Sequence, residues 1–289
     1  MIKQFLEEDL KKIKLIVIDA DDTLLNSKKE MSSENKAAII NAEKQGIRVV
    51  IASGRPYAKA IIDIYKELNK YNENNYFIAY NGASIYDIKT GKSLFEDALD
   101  KNDILFLEKY FKNLNLSSAR YVHLDENVTV INPNDYSYLE YKYNYKDYVV
   151  DDFKKNKIIK AYKYQIADEP EIIENLFNSL PKEILEKYSV TITMPCFLEV
   201  MKKDVNKFTA IKKLAKKINI SDDEIMAIGD SMNDYQMIEK SHIGVAMENA
   251  IDKVKKVSNF ITKSNENSGV AFAINFILNF QKKNWKKQK

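Results

Sequence analysis

The chain reads as an α/β protein: a doubly wound parallel sheet with a second, α+β unit inserted into it. Three observations predict this. Short apolar runs rich in β-branched residues, Leu15–Ile18 and Ile47–Ala52, have the character of strands buried on both faces, and Tyr76–Tyr80 and Glu224–Ile228 extend the set. The first three are separated by helical stretches and short loops, the βαβαβ rhythm of a parallel sheet. From about Ser84 to Met194 that rhythm is lost, so the expected organisation is a discontinuous domain of residues 1–83 and 195–289 with residues 84–194 inserted.

Taken in order, Ser32 or Ser33 is placed to cap a helix over Glu34–Gln45 that ends at Gly46. A second helix is expected to start at Pro56 and run over Tyr57–Leu68. In the inserted part, Ile104–Leu114 and Glu169–Ser179 have helical spacing. Arg120–Leu124, Val128–Asn132, Ile158–Ile166 and Ser189–Met194 read as strands, the first two around the turn Asp125-Glu126-Asn127. The first domain is expected to resume near Phe197–Val200. A helix follows from Asn206-Lys207 to Lys217, then strands at Glu224–Ile228, His242–Ala246 and Asn259–Thr262, and a closing helix over Gly269–Phe280.

Composition narrows the function classes. With 289 residues the chain can bury a sizeable core. Its 45% hydrophobic and 30% charged residues are ordinary for a soluble globular protein. A formal charge of only +3 gives no reason to expect a nucleic-acid partner, and the basic tail Lys282–Lys289 reads as a solvated end. Gly269–Phe280, the longest apolar stretch, is too short to span a bilayer and is broken by Asn275 and Asn279, so no membrane association is expected. Met1–Lys12 lacks the apolar core of a secretory signal. A single cysteine, Cys196, excludes an intrachain disulfide and suits a reducing compartment, so a cytoplasmic protein is the expectation; a monomer or weak homo-oligomer is expected.

The chemistry concentrates where apolar strands meet acidic loops. Asp19, Asp21 and Asp22 fall immediately after Ile18, at the sheet edge where open α/β proteins bind ligands. Carboxylates this close repel unless a cation or proton lies between them, and a hard divalent ion with oxygen ligands, Mg2+ foremost, resolves that. An acidic turn closing a strand is the plain alternative, and for an isolated Asp-X-Asp the two stand about even. Ser53-Gly54 before a helix start offers a hydroxyl and backbone N–H groups to a phosphate, although Ser-Gly is also a common turn. Lys207 at a helix start opposes the usual preference for anions there, which points to service on an anion or to an ordinary solvated lysine. Gly229-Asp230-Ser231-Met232-Asn233-Asp234 repeats the strand-to-carboxylate pattern, with Gly229 allowing a tight exit and a helix starting between Asp230 and Asp234.

Other candidates carry less. Six tyrosines between Asp135 and Tyr148 (Tyr136, Tyr138, Tyr141, Tyr143, Tyr145 and Tyr148) could rim a substrate, but half-exposed packing in a tyrosine-rich chain accounts for them more simply. Neither His123 nor His242 has a matching nucleophile, and Cys196 has no nearby base in sequence.

With Asp19-Ala20-Asp21-Asp22-Thr23, Ser53, Lys207 and Gly229–Asp234 in this order, the chain resembles the haloacid dehalogenase superfamily of phosphohydrolases over nearly its whole length. It looks most like the Cof-type members, which carry a large α/β cap between the second and third motifs. The resemblance implies a Rossmann-like core with residues 84–194 as the cap, and Mg2+-dependent hydrolysis of a small phosphorylated metabolite, sugar phosphates first. It further implies Asp19 as the nucleophile that becomes an aspartyl-phosphate, and Asp21 as general acid and then base. Ser53, Lys207 and Asn233 would bind phosphate oxygens. Asp19, Asp21 through its backbone carbonyl, Asp230 and Asp234 would hold the metal. A phosphomutase of related architecture and a non-catalytic binder of phosphometabolites are the alternatives. Two residues depart from the family pattern: Asp22 and Phe208 stand where glycine is usual.

Overall fold

The computed structural model describes residues 12–70, 75–114, 118–124, 127–136, 147–150 and 160–285. β1 (Leu15–Asp19) leads through a wound turn into α1 (Ser33–Lys44), then β2 (Arg48–Ala52), α2 (Lys59–Glu67) and β3 (Tyr76–Ala79). Ser32 is the cap of α1, its hydroxyl accepting from the Asn35 N–H at 3.1 Å. α2 begins at Lys59 instead of Pro56. Next come β4 (Ser84–Asp87), β5 (Ser93–Glu96), β6 (Leu99–Asp100), α3 (Lys101–Asn113), β7 (Ala119–Leu124), β8 (Asn127–Ile131) and β9 (Asp147–Val150). β10 (Lys160–Ala161), β11 (Lys163–Ala167), α4 (Pro170–Asn178), α5 (Lys182–Lys187), β12 (Tyr188–Met194) and β13 (Phe197–Lys202) follow. The chain closes with α6 (Lys207–Lys217), β14 (Ile225–Gly229), α7 (Tyr235–Lys240), β15 (Ile243–Ala246), α8 (Asp252–Val257), β16 (Phe260–Ile261) and α9 (Gly269–Trp285).

The described residues fall into two compact units, one drawn from Met1–Ser53, Ile64–Ile78 and Lys207–Lys289, the other from Gly54–Asp63 and Ala79–Asn206. In the first, six parallel strands lie in the order β16-β15-β14-β1-β2-β3. Leu15, Ile16, Val17 and Ile18 are wholly buried, as a strand with neighbours on both sides and helices on both faces must be. One helix layer contains α1 packed on α9; the other contains α7 packed on α6 and α8. The winding reverses between β1 and β14, since β2 and β3 lie to one side and β15 and β16 to the other. The loops that leave the two central strands therefore diverge at their carboxyl ends, the position at which open α/β sheets bind ligands.

The second unit is built on a six-stranded sheet, β12-β13-β11-β7-β8-β9, antiparallel except for the β8–β9 pair. Ile104, Leu107 and Phe111 of α3 and Ile173 and Leu176 of α4 pack on Tyr164, Ile166, Leu198 and Val200 to form its core. β4 and β5 make an antiparallel hairpin, and β6 pairs with β10. Phe197–Lys202, where the sequence placed the return to the first domain, pairs with β11 and β12, so this unit runs on to Asn206. The expected strand Ile158–Ile166 is interrupted at Tyr162 into β10 and β11, with Ile158 and Ile159 outside the described residues. α5, α8 and the β4–β5 hairpin have no counterpart in the sequence reading, because each is short and weakly patterned. α9 runs five residues beyond the expected Phe280, to Trp285, first through Gln281, Lys282 and Lys283, residues of good helix propensity. Of the tyrosine-rich stretch, Tyr136 packs half-buried beside Val130 and Phe197, while Tyr138, Tyr141, Tyr143 and Tyr145 lie outside the described residues. Among the described residues no helix is long and apolar enough to cross a membrane.

Candidate active site

The residues of the predicted catalytic, phosphate-binding and metal sets, Asp19, Asp21, Ser53, Lys207, Asp230, Asn233 and Asp234, all fall in the first unit. Asp19 is the last residue of β1 and is buried. Its register partner in β2 is Ala52, so the buried Ser53 lies one residue further along the neighbouring strand; its N–H donates to the Ile78 carbonyl at 2.9 Å. Asp230 leaves β14, on the other side of β1. Thr23 ties the two acidic loops together, its hydroxyl donating to Asp230 Oδ1 at 2.8 Å. The only advance sign of that role was a hydroxyl residue in an acidic loop just ahead of Leu24 and Leu25.

Asp234 organises the second loop. Its Oδ2 accepts from the N–H groups of Asp230 at 2.9 Å and Ser231 at 3.1 Å, while Ser231 Oγ donates to Asp230 Oδ2 at 2.6 Å. A side chain on residue 229 would meet this carboxylate, because a Cβ there would lie 2.6 Å from Asp234 Cγ. The glycine is therefore required by the close approach of Asp234, beyond the tight exit expected of it. The anticipated helix start is a short turn, Met232–Asp234, that hands over to α7; Asn233 is half-buried on it.

Lys207, the first residue of α6, completes the group. It is wholly buried and donates to Asp19 Oδ1 and, at 2.6 Å, to Asp234 Oδ1. The unusual lysine at a helix start thus neutralises side-chain carboxylates that outweigh the dipole. Carboxylate oxygens of Asp19, Asp230 and Asp234 all lie within 4.8 Å of one another. Burial, reinforced by Asp234, pushes the Asp19 carboxyl well above its ordinary value against the pull of Lys207. The same two causes raise Asp230 to about 6. Burial opposes the charge on Lys207, yet Asp19 and Asp234 prevail and hold its pKa above the ordinary lysine value. Three buried carboxylates against one ammonium leave an excess of negative charge with oxygen donors converging, which fits a hard divalent cation.

Asp21 stands apart from this cluster. Its side chain is 34% exposed and lies 3.0 Å from Lys29 Nζ, a contact the sequence did not suggest. Asp22 takes φ +57, the conformation for which glycine is usual, and its carboxylate is 53% exposed and 3.6 Å from the same ammonium. Asn249 fixes this bend from the far end of the chain by donating to the Asp22 carbonyl at 2.8 Å. No local signal could have paired residues so distant in sequence. Phe208, the other departure, lies under Lys240, whose Nζ is 5.9 Å from its ring centroid. Cys196 is buried in the second unit, in the cluster that contains Phe197.

Residues 16–274 match the haloacid dehalogenase-like hydrolase family. The Bacillus subtilis protein YxeH is 36% identical over 266 residues, covering 90% of this chain and 97% of its own. The 5-amino-6-(5-phospho-D-ribitylamino)uracil phosphatase YcsE of the same organism is 32% identical over 270 residues, covering 91% and 94%. The crystal structure of a haloacid dehalogenase-like hydrolase from Bacteroides thetaiotaomicron superposes with a TM-score of 0.81 at 31% identity, over 92% of this chain and all of that one. A family match along nearly the whole length, on a doubly wound core with its acidic loops at the switch point, makes the chain a member of the haloacid dehalogenase-like hydrolase family.

Proposed function

We propose that the protein is a Mg2+-dependent phosphatase of small phosphorylated metabolites that works through an aspartyl-phosphate on Asp19. The observation that carries this reading is the buried set of Asp19, Asp230 and Asp234 around Lys207 at the β1–β14 switch point. An Asp19 oxygen attacks phosphorus, the bond to the leaving alcohol breaks, and Asp21 gives that alcohol its proton. Asp21, now a carboxylate, takes a proton from a water that attacks the same phosphorus. Phosphate leaves and Asp19 is restored. Lys207, Ser53 and Asn233 hold phosphoryl oxygens and oppose the charge that develops on them. Asp19, the Asp21 carbonyl, Asp230 and Asp234 would hold Mg2+, which when bound neutralises charge between nucleophile and phosphate.

Residues 79–206, as the cap, supply contacts to the organic part of the substrate. Two Bacillus subtilis relatives, 32% and 30% identical, are named for a phosphate ester of a ribityl chain, which supports a polyhydroxylated phosphate ester, a sugar or polyol phosphate, as the substrate class here. The single cysteine, which is buried, suits a cytoplasmic setting. The test is steady-state phosphate release from a panel of phosphorylated metabolites, with Mg2+ and with chelator. Multiple turnovers that require Mg2+ are expected. Phosphate transfer only between substrate positions would instead mark a phosphomutase, and binding without turnover would mark a regulator.

A further inference from the structure

We infer that Gln165 is a specificity-determining residue, whose side-chain amide hydrogen-bonds a hydroxyl on the organic part of the substrate; this rests on the phosphatase reading above. Gln165 lies in the middle of β11 and is wholly buried. Among the described residues, neither its Oε1 nor its Nε2 has a hydrogen-bond partner. A buried amide left unpaired on both atoms is costly, and natural proteins retain such a group where something else completes it.

Its surroundings say what that something is. Tyr164 and Ile166 point into the helix-packed core, so Lys163, Gln165 and Ala167 occupy the opposite face of the sheet. At the Ala167 end this face is apolar, with Ala119, Val130 and Phe197. At the Lys163 end it is polar. Glu199, the register partner of Gln165, accepts from Lys163 Nζ at 2.7 Å on Oε1 and from Asn81 Nδ2 at 3.2 Å on Oε2. Lys163 and Glu199 are both buried. Both carboxylate oxygens are thus engaged, and the neighbouring amide is left with a donor and an acceptor free. A hydroxyl matches that pair, since it can donate to Oε1 and accept from Nε2 of one amide or of two neighbouring polar groups.

The polar end also connects to the phosphate-binding candidates along the chain. Asn81 follows β3 with φ +52, preceded by the buried Tyr80 at φ +49, two successive non-glycine residues in the left-handed region. Strain of this kind concentrates at functional sites. A Cβ on Gly54, the residue after Ser53, would lie 3.2 Å from Asn81 Nδ2, so glycine there leaves room for the amide that bonds Glu199.

The test compares kcat/KM for p-nitrophenyl phosphate, whose leaving group has no aliphatic hydroxyl, with kcat/KM for hexose, pentose, tetrose and pentitol phosphates. In Gln165→Met the ratio of the best panel member to p-nitrophenyl phosphate is expected to fall about tenfold or more, the penalty for losing a hydrogen bond that a site is built to make. Gln165→Leu serves the same purpose if the methionine variant does not fold. A ratio within about twofold of wild type, accompanied by a raised melting temperature, would mark an amide that is merely buried and would overturn the inference. So would a wild-type protein that turns over no panel member faster than p-nitrophenyl phosphate. Wild-type protein inactive on every ester would fail the phosphatase reading itself, a result distinguishable from both.

Discussion

The Lys207 ammonium donates to Asp234 Oδ1 at 2.6 Å, with no exposure of either residue to solvent. The same nitrogen also serves Asp19. One cation thereby links the end of β1 to the start of α7 across the point where the sheet reverses its winding. Removing one partner of such a group leaves uncompensated buried charge, which is commonly worth about 3–5 kcal/mol.

Lys207→Met should therefore weaken both stability and catalysis. Without the ammonium, Asp19 and Asp234 face each other and Asp230 uncompensated, and a phosphate dianion loses its fixed positive partner. We expect kcat/KM to fall about a hundredfold or more, ~2.7 kcal/mol of transition-state stabilisation. The metal-free melting temperature should fall as well, with part of the loss recovered in Mg2+. Kinetics and thermal unfolding on one preparation check both; kcat/KM within about threefold of wild type would contradict the assignment.

The acidic cluster sets a pH dependence for the metal-free protein. Burial and Asp234 raise the Asp230 pKa to about 6, above the usual carboxylate range. The folded state therefore binds more protons than the unfolded state across this window, so the contribution to stability is present below about 4 and is lost as pH rises through about 6. Asp19, raised for the same reasons, adds in the same direction. A divalent ion that binds the ionised carboxylates reverses the penalty. The difference between melting temperatures in Mg2+ and in chelator should thus widen from pH 5 to pH 7. Taking the difference cancels carboxylates elsewhere that shift the other way, such as Asp103 and Glu96. A difference that narrows with pH would exclude these carboxylates as the metal's ligands.

Asp22 looks like an obstacle in the sequence and is a minor one in the structure. Its φ of +57 is tolerated better by aspartate than by most non-glycine residues, and its carboxylate is turned toward solvent and Lys29. Asp22→Gly should keep kcat/KM within about tenfold, ~1.4 kcal/mol. A loss on the order of a hundredfold in a folded, Mg2+-binding variant would give Asp22 a catalytic task beyond the steps assigned to Asp19 and Asp21.

What could be read from the sequence was what local pattern encodes. Leu15–Ile18 announces a strand buried on both faces because its side chains are branched and apolar without alternation, and β1 is such a strand. Lys207 declared itself by standing at a helix start where a cation is unfavourable, and its carboxylate partners explain the exception. Pairing partners were not legible. The pattern Phe197–Val200 is the same whether the strand joins the parallel sheet or pairs with β11 and β12, and only the tertiary structure decides. Likewise Thr23, Lys29 and Asn249 act on the acidic loops through contacts that no local spacing marks. The unpaired amide of Gln165 was invisible for the same reason, since an alternating strand hides which of its faces is covered.

The proposed Mg2+-dependent phosphatase chemistry depends on Asp19 as the nucleophile. The most direct measurement is steady-state hydrolysis of p-nitrophenyl phosphate in Mg2+ by wild-type protein and by Asp19→Asn, with the fold of both checked by circular dichroism. The amide is nearly isosteric and keeps a hydrogen-bonding oxygen for Lys207, so the variant should fold. It cannot attack phosphorus, so kcat should fall by about a thousandfold or more, ~4 kcal/mol. A folded Asp19→Asn variant that retains kcat within about tenfold of wild type would contradict the central claim.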